Sequence, residues 1–160
     1  MHTLTGMEDY NFFMTCIYPS EMSKIKEYNR VLKSLNNLTK QEFLNKMSKA
    51  FEVSEPMDNA PISKKHQISL LLDNRWYRCE VKSSVLAKCM ASPTAEIDSL
   101  DVQILNDYVF RDILGIDDVR YDDRIDFVAG NRGMNGLLNR CADDSVAAFA
   151  LHPIELSDWI

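Results

Sequence analysis

Two short segments of the chain carry side chains suited to holding an anion, and the first is Tyr28, Asn29 and Arg30. An arginine guanidinium donates paired hydrogen bonds to a carboxylate or a phosphate, and a phenol and an amide add further polar groups. If the segment is extended, Tyr28 and Arg30 lie on one face and Asn29 on the other. An ion pair between Arg30 and one of the 24 acidic residues is the alternative interpretation.

The second segment is Gly130, Asn131, Arg132 and Gly133, which follows an apolar strand pattern and precedes a helical one. Its glycine spacing satisfies neither the Walker loop nor the dinucleotide-binding fingerprint. Backbone N–H groups at the start of the helix, assisted by Arg132, could still bind an anion. The interpretation that the sequence favours is a tight turn, in which Gly130 reverses the chain and Gly136 lets the helix approach the sheet.

No other pattern predicts catalysis or metal binding, and we assign no catalytic residue. The three histidines lie far apart, and no nucleophile elbow or calcium-loop order is present. The four cysteines lack zinc spacing and are expected to be reduced, buried and inert. An acidic cluster near residue 120 is expected to be a solvated loop. The histidines are His2, His66 and His152, and the cysteines are Cys16, Cys79, Cys89 and Cys141. The acidic cluster consists of Asp117, Asp118, Asp122 and Asp123.

The size and charge of the chain exclude some classes of protein. Its 160 residues fit one domain with a core of its own. A net charge of −6 argues against a nucleic-acid partner, because affinity for a phosphate backbone depends on clustered Lys and Arg. No apolar run of about 18 residues predicts a membrane span. We therefore expect a cytoplasmic protein with neither nucleic-acid nor membrane partners.

The first half of the sequence predicts mainly strands. Residues 10–19 form an apolar run typical of a strand buried on both faces, and residues 27–35 favour a strand or an irregular segment. The stretch 38–51 predicts a helix in which Thr39 is the N-cap and forms a capping box with Glu42. Residues 66–82 predict a hairpin that turns at Asp73 and Asn74, since both residue types tolerate positive φ.

The second half alternates helices with strands. Residues 83–97 are expected to hold one short helical turn at most, and residues 99–114 form the strongest helical pattern, stopped by Gly115. Strands are predicted at 124–129 and 145–151, a helix at about 132–142, and another after Pro153. The fold class is therefore α+β, or mixed α/β, with three to four helices packed on a mixed sheet in a single domain.

Several stretches, in their order along the chain, resemble the C-terminal half of the bacterial proteins of domain-of-unknown-function family 1015. The resemblance covers nearly the whole chain and rests on TGMEDYNFFMTCIYPSEM, EYNRVLKSLNNLTKQEFLNKMSKAFEV, NRWYRCEVK, LDVQILNDYVFRDILGI and RIDFVAGNRGMNGLLNRCADDSVAAFALHPIELSDWI. In that family the upstream half resembles a ParB- or sulfiredoxin-like domain with a Gly-His-His-Arg motif. The family pattern also continues to a Pro-Lys-Ser-Thr-Trp-Phe segment, and this chain has neither.

The resemblance implies a fragment of a larger protein whose relatives are linked to ATP-dependent phosphorylation of free serine. ATP and Mg²⁺ then belong to the full-length protein, and no cofactor is expected in this chain. Its partners are the missing upstream domain and a small-molecule substrate, and the chain is expected to be inactive alone. The residues that match segments facing such a site are Tyr28, Asn29, Arg30, Gly130, Asn131, Arg132 and Gly133. The alternative is a stand-alone, non-catalytic binding or interaction domain.

Overall fold

The structure, a computed structural model, describes residues 13–17 and 28–153. In this part of the chain the strands are β1 (Tyr28–Leu32), β2 (Phe51–Val53), β3 (Gln67–Leu72), β4 (Arg75–Val81), β5 (Ile125–Ala129) and β6 (Ala147–Ala150). They form one sheet in the order β2-β4-β3-β6-β1-β5. Every pairing is antiparallel. The predicted α+β class is confirmed, although the sheet is antiparallel where a mixed one was expected.

Helices cover both faces of this sheet. They are α1 (Lys40–Met47), α2 (Ser83–Met90), α3 (Ala95–Asp98), α4 (Asp101–Leu105) and α5 (Gly133–Asp143). The α4 helix continues as a π-helix over Asn106–Arg111, and a 3₁₀ turn over Gly130–Arg132 precedes α5. None of the helices in the described residues is long and apolar enough to cross a membrane.

The core lies in two layers because strand side chains alternate between faces. On one face, Leu32, Leu70 and Phe149 pack with buried side chains of α1, α2, α4 and the π-helix, among them Phe43, Val85 and Leu105. On the other face, Val31, Leu71 and Ala148 pack with Leu137 of α5 and with Ala60 of the loop before β3. We call these the multi-helix face and the α5 face.

Local sequence signals explain three of the turns. The Thr39 side chain accepts from the Glu42 N–H and the Glu42 carboxylate accepts from the Thr39 N–H, so the capping box is confirmed. Asp73 and Asn74 join β3 to β4 with φ of 53° and 57°. Gly115 ends the helix that follows α4 with φ of 64°, as the sequence predicts.

Other predictions of secondary structure are wrong. Residues 13–17 of the predicted strand 10–19 form no strand and are exposed, and the rest of that strand lies outside the described residues. The first helix, predicted to run to Phe51, ends at Met47, and residues 51–53 form β2 rather than the start of a loop. Residues 83–97 form α2 and α3 rather than one turn. The helix predicted from residue 99 begins after Leu100, without a side-chain cap. The helix predicted after Pro153 lies outside the described residues.

The register of the strands gives the sheet two distinct ends. At one end β1, β2 and β3 begin and β4, β5 and β6 finish. At the opposite end β1, β2 and β3 end, and β4, β5 and β6 begin. The segments Tyr28–Arg30 and Gly130–Gly133, far apart in sequence, therefore lie at the same end, because Tyr28 pairs with Ala129.

Candidate functional site at one end of the sheet

Arg30 lies between two phenylalanines on the multi-helix face. It pairs with Phe127 of β5 on one side and with Phe149 of β6 on the other. Its guanidinium carbon is 4.5 Å from the centre of the Phe127 ring, which is cation–π distance. The Tyr28 ring is 6.0 Å from the same phenylalanine. Tyr28 and Arg30 thus share one face, as predicted for an extended segment.

The Arg30 guanidinium is buried without a carboxylate partner among the described residues. Nη1 donates to the backbone oxygen of Tyr28, while Nε is buried with no acceptor. Only 8% of the residue is exposed. Burial lowers the pKa of Arg30 to about 10, an effect that the nearby Tyr28 partly offsets. The alternative interpretation, an ion pair with a nearby acid, is therefore not what forms in the described part of the chain.

Asn29 points to the α5 face and is buried. Its side-chain oxygen accepts from the Leu151 N–H at 3.1 Å. Since Leu151 directly follows β6, this bond holds the end of β6 beside the start of β1. The contact gives Asn29 a structural role and places His152, the next residue, at the same end of the sheet.

The glycine segment reaches this end on the α5 face, opposite the face of Arg30. Gly130 has no positive φ, whereas Gly133 has φ of 57° and ψ of −165° at the start of α5. The prediction that Gly130 makes the turn is wrong, since Gly133 adopts the conformation that favours glycine. At Gly136 an added Cβ would lie 2.6 Å from Cβ of Arg132 and 3.5 Å from Val128 of β5. The predicted close approach of helix and sheet is confirmed there.

Asn131 and Arg132 are exposed beside that turn. No side chain caps the N-terminus of α5. The structure thus brings the two predicted segments together through backbone pairing, but it directs Arg30 and Arg132 toward different faces. Any ligand that contacts both must sit over the end of the sheet rather than on one face.

Sequence reasoning missed a third group at this end, the pair His66 and Asp101. The ring Nδ1 of His66 lies 3.0 Å from the Asp101 carboxylate. The His66 backbone N–H also donates to both carboxylate oxygens, at 3.0 and 3.1 Å. The two residues are 35 positions apart, so no motif links them. Burial raises the pKa of Asp101, and its bonds from His66 together with the charge of nearby His152 partly offset that effect.

Basic side chains dominate the segments that enter and leave the strands at this end. The described segments are 48–50, 63–66, 82, 130–132 and 151–153, and they contain no Asp or Glu. They contain Lys49, Lys64, Lys65, Lys82 and Arg132, together with His66 and His152. We call this the basic end of the sheet.

Acidic side chains dominate the opposite end. The corresponding described segments, 33–39, 54–58, 73–74, 115–124 and 144–146, contain three basic residues, Lys33, Arg120 and Arg124. The same segments contain eight acidic residues: Glu55, Asp58, Asp73, Asp117, Asp118, Asp122, Asp123 and Asp144. We call this the acidic end. The net charge of −6 hides this separation, which the sequence analysis missed because it depends on the order of the strands.

Neighbouring strand residues neutralise part of the basic end. Lys64 lies 3.1 Å from Glu80 of β4, and Lys82 lies 4.0 Å from Glu52 of β2. Exposed pairs of this kind contribute little to stability, about 0–1 kcal/mol. Both lysine side chains remain partly exposed, at 60% for Lys64 and 30% for Lys82.

The cysteines and the acidic loop behave mostly as predicted. Burial raises the pKa of Cys79 to about 12 and that of Cys141 to about 11, so neither is a reactive thiolate. Cys89 is buried too, but Cys16 is exposed, which contradicts its predicted burial. Asp118 and Asp122 form ion pairs with Arg120 and Arg124 within the loop. No group of three metal-ligating side chains occurs in the part of the chain that the structure describes.

Comparison with protein-family models gives a match to the family described as Protein of unknown function (DUF1015). The match spans residues 1–103, more than half of the chain. The chain belongs to this family. The matched residues include Arg30, His66 and Asp101, and they end before β5 and the glycine segment. No curated protein and no solved structure matches the chain.

Proposed function

We propose that this chain binds an anionic small molecule at the basic end of the sheet and forms one wall of a site in a larger DUF1015 protein. The separation of charge between the two ends carries the proposal. Clustered basic side chains raise the local concentration of anions, and two helices of at least eight residues, α2 and α5, begin at the same end. Phosphate and carboxylate are the anionic groups that such an arrangement recognises.

Arg30 supports this proposal independently of the surface lysines. A buried guanidinium whose Nε has no acceptor among the described residues is costly, since charge is removed from water and a donor is left unsatisfied. An oxygen of a bound anion would supply the missing acceptor and offset the desolvation that lowers the Arg30 pKa. The Tyr28 hydroxyl, on an exposed ring beside it, is available as a second polar contact.

The reaction we propose for the complete protein is ATP-dependent phosphorylation of free serine. This chain would hold a phosphate or carboxylate group through Arg30, with Asn131, Arg132 and the Gly130–Gly133 backbone at the rim. ATP and Mg²⁺ would bind together with the upstream domain, which is proposed as the partner that completes the site. The whole protein is proposed to be cytoplasmic.

Titration calorimetry and an ADP-release assay test the proposal. We expect the 160-residue chain to bind sulfate weakly, to show no binding of ATP, ADP or serine, and to have no activity.

The full reading frame should release ADP in a serine-dependent way, and Arg30→Lys in that frame should lower kcat/KM. Arg120→Lys, at the exposed acidic end, is the matched control and should have no effect. Micromolar ATP binding by the chain alone would contradict an incomplete site.

A second candidate function is a stand-alone interaction domain. It is favoured by residues 13–17, where Phe13, Met14 and Ile17 are 88–93% exposed. Exposed apolar clusters commonly mark protein interaction sites. Reading the codons upstream of Met1 separates the two candidates, because an in-frame Gly-His-His-Arg segment would contradict the stand-alone interpretation.

A further inference from the structure

His66 is held in one orientation by Asp101. The Asp101 carboxylate, on a side chain only 9% exposed, accepts from the ring and from the backbone N–H of the same histidine. His66 also has φ of 63°, in the left-handed region that histidine, like asparagine and aspartate, adopts more readily than most residues with a Cβ. The ring therefore has a fixed position at the basic end.

The contact with Asp101 also fixes which ring nitrogen carries hydrogen in the neutral form. A carboxylate accepts only, so Nδ1 must donate to it, and Nε2 is left for another partner. No described group bonds to Nε2, and 36% of the side chain is exposed. When the ring is protonated, Nε2–H becomes a charged donor directed outward from the Asp101 contact.

We propose that His66 is an anion-binding residue of the basic end, whose protonated Nε2–H donates to a phosphate or sulfate oxygen, with Asp101 positioning the ring. The inference rests on the proposed function, because it assigns one ligand contact and a pH dependence to the same site. Neutral His66 has no Nε2 hydrogen and cannot make this bond. Anion affinity should therefore be higher in weak acid and lower above neutral pH.

Several other titratable or charged groups surround His66, and the test must distinguish its contribution from theirs. Asp101 faces it from α4, His152 follows the adjacent strand β6, and Glu80 and Lys82 lie at the end of β4. Lys64 and Lys65 precede it in the same loop. Of these, only His152 is a second histidine. The Nδ1 atom of His152 is bonded to the backbone oxygen of Pro153 at 2.9 Å, so its other ring nitrogen makes it the competing candidate.

Nuclear magnetic resonance titration of the whole chain with sodium sulfate at pH 5.5 and pH 8.0 tests the inference. Sulfate keeps two negative charges over this range, so any change in affinity belongs to the protein. The chain contains three histidines, His2, His66 and His152, whose ring resonances can be assigned by single substitutions. We expect sulfate to bind about fivefold more tightly at pH 5.5, since one partly exposed charge contributes on the order of 1 kcal/mol.

Three variants isolate the contribution of His66. His66→Asn keeps the backbone N–H that binds Asp101 and tolerates the left-handed conformation, so it should fold and should bind sulfate with similar affinity at both pH values. His152→Gln should retain the pH dependence of the wild type. Asp101→Asn keeps an acceptor for the backbone N–H but removes the carboxylate, and it should weaken sulfate binding at pH 5.5. An unchanged amide spectrum away from residue 66 verifies the fold of each variant.

The outcomes separate failure of this inference from failure of the proposed function. If sulfate binds equally at both pH values, or if His152→Gln alone removes the difference, the assignment of His66 is wrong and anion binding at this end remains. If sulfate and inorganic phosphate bind at neither pH, the proposed function fails and the inference fails with it.

Discussion

The arginines at the two ends of the sheet are partnered in opposite ways. At the acidic end, Arg124 donates to both oxygens of Asp122 and to the backbone oxygens of Leu114 and Gly115. At the basic end, among the residues that the structure describes, Arg30 donates to one backbone oxygen and has a buried Nε without an acceptor. Each side-chain nitrogen of Arg124 therefore has a hydrogen-bond acceptor within the fold. The Nε of Arg30 has none among the described residues.

This difference distinguishes a structural arginine from a candidate binding arginine. The Arg124 bonds close the helix that ends at Gly115 and tie it to the loop before β5. Arg30 contributes packing against Phe127 but carries an uncompensated desolvation cost. Stability should therefore depend on the acidic-end arginine, and ligand affinity should depend on the basic-end one.

The largest expected effect comes from replacing each arginine with methionine. Arg30→Met should weaken sulfate binding at least about tenfold, because a hydrogen bond to a charged group contributes about 1.5–3 kcal/mol. Its free energy of unfolding should stay the same or rise, since a buried charge is replaced by an apolar chain of similar length. Calorimetry measures the affinity and urea denaturation measures the stability.

Arg124→Met is the matched variant at the other end. It should lower the free energy of unfolding by about 1–3 kcal/mol by leaving acceptors unsatisfied, and sulfate affinity should not change. Comparable losses of stability in both variants would show that the two arginines have the same structural role.

The next largest effect is expected at the two glycines with positive φ. Gly133→Ala should cost about 1–3 kcal/mol, since φ of 57° with ψ of −165° lies in a region that is nearly restricted to glycine. Gly115→Ala, at the other end, should cost about 1–2 kcal/mol. Neither site has an atom within 4 Å of the added Cβ, so the cost is backbone strain and not a clash.

Thermal unfolding measures the stability of the Gly133→Ala and Gly115→Ala variants. A sulfate titration shows which of the two glycines affects anion binding. Only Gly133→Ala should also weaken sulfate binding, because it displaces the first turn of α5. Equal sulfate affinity in the two variants would remove the glycine segment from the proposed site.

A smaller effect is expected from acid, with opposite signs at the two ends. The hydrogen bonds from Arg124 lower the pKa of Asp122, and those from Arg120 lower the pKa of Asp118 to about 2. Their stabilisation is present above the unfolded value near 4 and is lost as pH falls through the lowered folded value. Burial instead raises the pKa of Asp101, so protonation near its folded value relieves a cost.

Chemical denaturation from pH 6 to pH 2 measures this difference. Asp122→Asn should reduce the loss of stability below pH 4 by up to about 1 kcal/mol, as expected for a pair near the surface. Asp101→Asn should leave that loss in place. A reversal of these two results would contradict the assigned direction of the shifts.

The smallest expected effect concerns an exposed lysine. Lys64→Gln should weaken sulfate binding only about two- to threefold, because its charge is solvated and screened. Lys33→Gln at the acidic end should have no effect. Calorimetry at low and at physiological salt should show the Lys64 contribution shrinking as salt rises.

Much of the local structure was predictable from the sequence. The capping box at Thr39, the hairpin turn at Asp73 and Asn74, and the alternation of Tyr28, Asn29 and Arg30 each depend on neighbours within about four residues. Such signals operate before the chain is compact, so they can be read from spacing alone. The prediction failed at residues 51–53, which the sequence assigned to a helix end and a loop, because their strand depends on pairing with the distant β4.

The sequence by itself determined the α+β class, the hairpin and the chemical types at the candidate site. Only the tertiary structure decided that Tyr28 meets Ala129, that Arg30 lacks a carboxylate among the described residues, and that Asp101 orients His66. It also decided that basic and acidic segments gather at opposite ends of the sheet. The physical reason is that these features depend on strand order and on contacts between residues far apart in the chain, which local periodicity does not specify.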